Sequence, residues 1–374
     1  MMQGFATVAR GLEALAAKEL ESLEIKGVEP GFCGVGFRGS LADLYRINLW
    51  ARLPFRVLVE VGSFPCEDAN DLYTGVQQID WQPYLTPEQT LTVRATGKTR
   101  QLNHTHFNAL QVKNAIVDQQ RDRFGERSSV DTQSPDVGVN VHIDREKTVV
   151  SLDSSGSSLH RRGYRPAVGA APLKESLAAA LIQLSDWQPD LPFLDPLCGS
   201  GTLPIEAGLQ ALNIAPGLFR ERFGFETWPS FDAALWQQLK QAAEAAEKTD
   251  LPAPIFGSDL DGNILTQARR NASLSGLEGL ITFTQQDLAE VTAPADQGII
   301  ICNPPYGERL GDDRELRRLY KLLGDVLKQQ FKGWTAYVLS GNKALSKYIG
   351  LKSAKRFPVY NGSLPCQLMK YELY

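Results

Sequence analysis

Cysteine and histidine are scarce in this sequence, and neither set is arranged for metal or redox work. The five cysteines, Cys33, Cys66, Cys198, Cys302 and Cys366, are odd in number, far apart and without a C-x-x-C pair. That argues against a disulfide framework and a zinc site, and for reduced thiols. Of four histidines only His104 and His106 are close neighbours. Two imidazoles at strand spacing without further ligands read as surface residues, so no metal is expected. Long apolar runs are missing too: none approaches the roughly 18 residues that would span a bilayer. The start, Met1 to Val8, has no basic flank followed by an apolar stretch, so no signal peptide is read and a cytoplasmic location without membrane contact is expected. Low-complexity tracts are also absent. Finally, there is no large excess of one charge, with 39 basic and 43 acidic residues and a net charge of -4. This excludes a protein that coats nucleic acid non-specifically, but not a specific nucleic-acid enzyme with local basic patches.

Two such patches are present, because acidic residues vanish locally. Residues 89–117 carry Arg94, Lys98, Arg100 and Lys113 and no acid, and residues 154–174 carry Arg161, Arg162 and Arg165 and no acid.

At 374 residues the chain predicts two or three units. The first half reads as α+β: a strand at Phe5 to Val8, helices at Leu12 to Leu23 and Leu41 to Trp50, and strands at Val35 to Arg38, Phe55 to Val61 and Leu91 to Ala95. A helix is expected from Asp71 to Leu85 and another from Phe107 to Arg123. Strict alternation at Val137, Val139, Val141 and Ile143, answered by Thr148 to Asp153, predicts a β-hairpin. From Leu173 short apolar strands alternate with helices, which predicts a parallel sheet covered on both faces. An aromatic-rich insertion interrupts it after Leu212, followed by a helix expected from Phe231 to Lys248, and the last piece, Gln367 to Leu373, is expected as an antiparallel edge.

In such a sheet ligands bind beyond the carboxyl ends of the strands. The residues found there form an ordered set. A glycine-bearing turn, Asp195 to Thr202 with Cys198, Gly199 and Gly201, leads into a helix, whose amino end favours an anion. Asp259 and Asp261 follow the second strand, where an acid accepts ribose hydroxyls, and Asp287 follows the third. After the fourth come Asn303, Pro304, Pro305 and Tyr306. The prolines force the chain out of the sheet. An exocyclic amine on a base is a poor nucleophile because its lone pair is delocalised. The Asn303 side-chain oxygen and the Pro304 carbonyl could accept its two N–H groups and localise that pair, while Tyr306 stacks on a base taken out of its helix. A cysteine nucleophile at Cys198 or Cys302 is not favoured, since no base lies near in sequence to generate a thiolate.

With these motifs the sequence resembles the class I S-adenosylmethionine-dependent methyltransferases that carry a THUMP RNA-binding domain, and within them the bacterial 23S ribosomal RNA guanine-N2 enzymes. Residues 5–13, 71–77, 159–165, 172–177, 195–202 and 303–310 carry the likeness, which covers essentially the whole chain. The resemblance implies an α/β Rossmann-like methyltransferase domain with an antiparallel edge strand, at residues 173–374. Before it would come a ferredoxin-like α+β piece (1–42), a THUMP domain (43–154) and a basic linker (155–172). It implies that Asp195, Cys198, Gly199, Gly201 and Thr202 wall the methionine end of S-adenosylmethionine, that Asp259 or Asp261 holds the ribose and Asp287 the adenine, and that Asn303 with Pro304 faces the target amine. Arg161, Arg162, Arg165, Lys98, Arg100 and Lys113 are then expected to dock 23S ribosomal RNA or a large-subunit precursor. A second methyltransferase domain, fused in some members, is expected to be replaced by a separate protein. Adenine-N6 methylation of DNA, guanine-N2 methylation of transfer RNA and a non-catalytic assembly role remain as alternatives.

Overall fold

The computed structural model describes residues 1–144, 147–165, 173–306 and 313–374. Residues 166–172 of the expected basic linker, and 307–310 of the segment beginning at Asn303, lie outside the described residues. Among the described residues no helix is long and apolar enough to cross a membrane.

The first half builds one mixed sheet from β1 (Met2–Thr7), β2 (Lys26–Gly31), β3 (Gly34–Gly39), β4 (Arg56–Phe64), β5 (Thr90–Gly97), β6 (Ser129–Val130), β7 (Val137–Ile143) and β8 (Thr148–Asp153). Their order is β2-β3-β1-β4-β8-β7-β5-β6, so strands from either side of residue 42 share one sheet. Helices α1 (Glu13–Ser22), α2 (Leu41–Trp50), α3 (Ala69–Gln77) and α4 (Thr105–Phe124) connect them. Local chemistry fixes the helix ends. Ser40 and Asp43 form a reciprocal cap on α2, Asp68 caps α3, and Gly125 at φ 76° stops α4. The alternating valines of β7 are buried and pair antiparallel with β8, Val141 opposite Val150.

Two differences from the sequence reading have clear causes. The helix expected to reach Leu85 ends at Gln77, because Gln119 of α4 donates to the carbonyls of Gln77 and Ile79, at 2.8 Å each, and Pro83 disfavours helix just upstream. Strand β2, which has no buried residue, gives no alternating signal to read.

The second half contains α5 (Glu175–Leu184), β9 (Phe193–Asp195), α6 (Thr202–Ala211), α7 (Ala233–Ala245), β10 (Ile255–Asp259), α8 (Gly262–Leu274), β11 (Ile281–Gln285), β12 (Ile299–Cys302), α9 (Asp313–Gln330), β13 (Thr335–Ser340), β14 (Lys355–Asn361) and β15 (Leu364–Glu372). The sheet order is β11-β10-β9-β12-β13-β15-β14, with β9 to β13 parallel. The terminal strand β15 is antiparallel as expected, but it sits between β13 and β14, leaving β14 at the edge. Its central residues are mostly buried, Leu368 and Met369 among them, and an apolar run of that kind stabilises an inner position better than an edge.

The halves are clamped by the aromatic insertion. Tyr45 of α2 stacks on Phe225 at 4.3 Å and meets Trp236 edge-on. Its hydroxyl accepts from the Asp232 N–H. Nearby, buried Arg52 donates to the carbonyls of Leu209 and Ile214, and Glu19 accepts from Gln183 of α5.

Candidate active site

Strand β9 is flanked by β10 on one side and β12 on the other, so the chain reverses its direction of winding there and opens a crevice at the strands' carboxyl ends. Register aligns the candidates along that rim. Asp195 pairs with Gly257 and Asp259 with Gln285, which sets Asp259 and Asp287 each two residues beyond their neighbours. Ile300 opposite Leu194 sets Asn303 two residues past the level of Asp195.

The glycine turn is held by named bonds. Gly199 and Gly201 have φ of 52° and 81°, a region costly for other residues. A Cβ on Gly201 would lie 3.1 Å from the Ala268 Cβ and from the Phe283 ring. The Gly199 N–H donates to Asp259 Oδ2 at 3.0 Å, and Asn271 donates to the Ser200 carbonyl at 3.0 Å. Thus α8 and the end of β10 fix the turn. Asp195 is 2% exposed and accepts from the Leu197 N–H. Burial and the negative charge of Asp259 push its carboxyl well above the usual range. Cys198 and Cys302 are both buried, and burial followed by the Asp195 charge pushes both thiols up. Neither is a thiolate source at neutral pH.

The two acids left open by sequence differ in setting. Asp259 is half-buried, and its two oxygens tie the Gly199 N–H to the Asp261 N–H. Asp261 is exposed and caps α8 by accepting from Asn263 at 2.8 Å. Asp287 is exposed and accepts from the Ala289 N–H at 2.9 Å.

Beyond β12, Asn303 Oδ1 is buried and has no hydrogen-bond partner among the described residues. A buried acceptor left unmet costs about 1–3 kcal/mol, so such an atom marks a place where a ligand donor completes the structure. Pro304 beside it is buried. Tyr306 is half-buried, and its hydroxyl accepts from Asn361 Nδ2 at 2.9 Å. That bond anchors the ring to β14. Burial raises the phenol's pKa, so the hydroxyl stays neutral.

The cationic residues separate into different groups. Arg162 is 1% exposed, and its guanidinium meets Glu206 and the carbonyls of Leu159 and Arg52. It therefore faces the interior, and the expectation that it touches RNA is corrected. Arg165 is directed to the glycine turn: Nη1 donates to Thr202 Oγ1 at 3.0 Å, and Nη2 pairs with Glu175 at 3.0 Å. Sequence reading missed this link, because no short-range pattern joins Arg165 to Thr202 or Glu175. Arg161, Lys98 and Arg100 are exposed, whereas Lys113 is half-buried and bonded to Asn114.

Comparison with known proteins shows the family and the fold. A model of the RMKL-like methyltransferase domain matches residues 162–370, a THUMP domain matches 66–153, and an RlmL ferredoxin-like domain matches 3–58. A Synechocystis protein named as an RNA methyltransferase, slr0064, is 56% identical over 99% of this chain and 96% of its own length. The ribosomal RNA large subunit methyltransferase K/L of Syntrophotalea carbinolica is 43% identical over 99% of this chain. The chain spans about half the length of the K/L relatives, 53% in that case. Among solved structures, SMU.472, a methyltransferase by name and complexed with SAH, has a TM-score of 0.90 at 35% identity, covering 100% of this chain and 98% of that one. A Listeria monocytogenes protein whose name assigns it N6-adenine-specific DNA methylation matches equally, at 35% identity and TM-score 0.90, over 100% of this chain and 96% of its own.

Proposed function

The chain belongs to the RMKL-like, S-adenosylmethionine-dependent methyltransferases that carry a THUMP domain, and on that premise we propose that it methylates the exocyclic N2 amine of a guanosine in 23S ribosomal RNA. The observation that carries the amine target is the buried Oδ1 of Asn303 at the rim of β12, unpartnered among the described residues. RNA is supported by the THUMP match, and large-subunit ribosomal RNA by the names of the K/L relatives.

In this reading the turn from Asp195 to Thr202 holds the methionine end of the donor, Asp259 the ribose and Asp287 the adenine. The donor supplies a methyl group on a sulfonium, which is its own leaving group. Asn303 Oδ1 and the Pro304 carbonyl accept the two N–H groups of the amine, which localises the lone pair on nitrogen and aims it. Once alkylated, that nitrogen is acidic and loses its proton to water, so no general-base carboxylate is required. Positioning supplies most of the acceleration.

Asp259 rather than Asp261 takes the ribose, because Asp259 is built into the turn while Asp261 is committed to its helix cap. Asp259→Ala is expected to raise the KM for S-adenosylmethionine at least about tenfold. Asp261→Ala should cost about 1 kcal/mol of stability and shift that KM much less, a difference read by steady-state kinetics and urea unfolding. Arg165→Ala is expected to raise the same KM about tenfold by freeing Thr202 and Glu175. RNA affinity should stay unchanged, and weakened RNA binding at unaltered donor KM would instead restore a direct RNA role.

Adenine-N6 methylation of DNA is the second reading, favoured by the name of the Listeria relative. Tritium transfer from labelled donor to undermodified large-subunit RNA, transfer RNA and duplex DNA separates the readings. Label in ribosomal RNA recovered as N2-methylguanosine supports the proposal, and label in DNA adenine overturns it.

A further inference from the structure

A cavity of about 650 Å³ lies between the first sheet and the second half, and none of its lining residues belongs to the crevice. Its floor is Thr92 and Arg94 of β5 with Gly138 and Asn140 of β7, and its walls are residues 156–158, 160–163 and 219–224. Six arginines line it against three acidic residues. Most of those arginines are already engaged. Arg56 meets Asp153 and the Gly156 carbonyl. Arg162 points inward, as described. Arg220 donates to the carbonyls of Ser155, Ser157, Ser158 and Arg161 and lies over the Phe223 ring. Arg222 pairs with Asp136 at 3.5 Å. Two remain: Arg94 and Arg161 are exposed, and neither guanidinium makes a hydrogen bond or ion pair with any described residue.

We propose that this cavity anchors the substrate RNA at a point distinct from the target base: Arg94 and Arg161 take a backbone phosphate of a single-stranded segment, and Thr92 and Asn140 meet its nucleoside. The proposal rests on the RNA reading above. The volume suits one nucleotide, within the roughly 300–1,000 Å³ usual for ligand sites, and guanidinium groups match phosphate oxygens in pairs. On three separate segments a titratable group is shifted by desolvation first and by neighbouring positive charge next. Partial desolvation at the cavity floor first, then the Arg56 charge, lowers the pKa of Arg94, exposed as the residue is. Burial and Arg162 bring Arg220 down to about 10. Burial, then Lys174, Arg161, Arg162 and Arg165, bring His160 down to about 4, so it is neutral at pH 7 and offers a hydrogen bond without adding charge. A phosphate entering here relieves like-charge repulsion that the empty fold bears. Because both halves line the cavity, an RNA seated in it also fixes how the strand runs toward the crevice.

The test uses the full chain and a labelled single-stranded oligoribonucleotide of about ten residues from the large-subunit sequence, titrated by anisotropy at several salt concentrations. Arg94→Ala and Arg161→Ala are each expected to lower the slope of log affinity against log salt by about 1. Arg94→Glu should weaken binding about tenfold or more at 0.1 M salt. Lys332→Glu, on a distant exposed residue, should match wild type within about twofold. In methyl transfer, the Arg94 variants should raise the KM for RNA while kcat and SAH affinity hold, which also shows that they fold. Competition by adenosine 5′-monophosphate assigns a terminal phosphate, and its failure to compete assigns an internal phosphodiester. Wild-type affinity and salt slope in Arg94→Glu would overturn the anchor and leave the RNA reading intact, whereas a wild-type chain that neither binds nor methylates RNA would overturn both.

Discussion

Replacing Asn303 by alanine lowers the rate of methyl transfer at saturating substrates by about 10²–10³-fold, the cost of deleting one preorganised hydrogen-bonding group at a reacting centre. Affinity for SAH should stay within about twofold, because the turn is held by Asp259 and Asn271 and not by Asn303. Stability should hold or rise slightly. The Oδ1 atom is buried without a partner among the described residues, so its removal relieves a desolvation cost of about 1–3 kcal/mol. This pairing of lost rate with retained stability is the mark of a group kept for function at the fold's expense. Single-turnover transfer and urea unfolding on the same preparation measure both. A variant that transfers methyl at the wild-type rate would remove Asn303 from the chemistry.

The second large effect is structural. Glu206 of α6 is fully buried and receives both the Arg162 guanidinium, at 3.4 Å, and the Tyr164 hydroxyl, at 3.1 Å. Burial alone would pull the Arg162 pKa down; Glu206, with Tyr164 and Glu175, more than offsets it, and the net direction is upward. Glu206→Ala leaves a guanidinium in the interior without its counter-charge and is expected to cost about 3–5 kcal/mol. Pairing Glu206→Leu with Arg162→Met should recover most of that loss, since an apolar pair of similar size removes both desolvation penalties. Urea unfolding of the two single variants and the double closes the cycle. Nearly additive losses would mean that the pair is not coupled and that Arg162 is held by its carbonyl partners alone. Because Arg162 also donates to the Arg52 carbonyl, the same loss should loosen the joint between the first sheet and α6.

The parts of the molecule legible from sequence are those where a short-range pattern and a physical requirement coincide. The valines of β7 alternate because one face is buried, and the acids at Asp195, Asp259 and Asp287 recur after apolar strands because the sheet is parallel. The roles of the basic residues were not legible. Arg161, Arg162 and Arg165 lie within five positions, yet one is exposed, one is buried on Glu206 and one braces Thr202. Only the fold decides which neighbour each guanidinium meets. The length of α3 was misread for the same reason, since the group that ends it, Gln119, is 42 residues from Gln77. Strand β15 could be read as antiparallel but not placed inside the edge, because strand order is a property of packing. The cavity around Arg94 needed both halves at once, and no single stretch of sequence announces it.

The most direct test of the central claim is nucleoside-resolved mass mapping of 23S ribosomal RNA from a strain lacking this gene, complemented by wild type or by Asn303→Ala. The account predicts that one N2-methylguanosine disappears in the deletion, returns with wild type and fails to return with Asn303→Ala. An unchanged guanosine-methylation map in the deletion strain, or full restoration by Asn303→Ala, would contradict it.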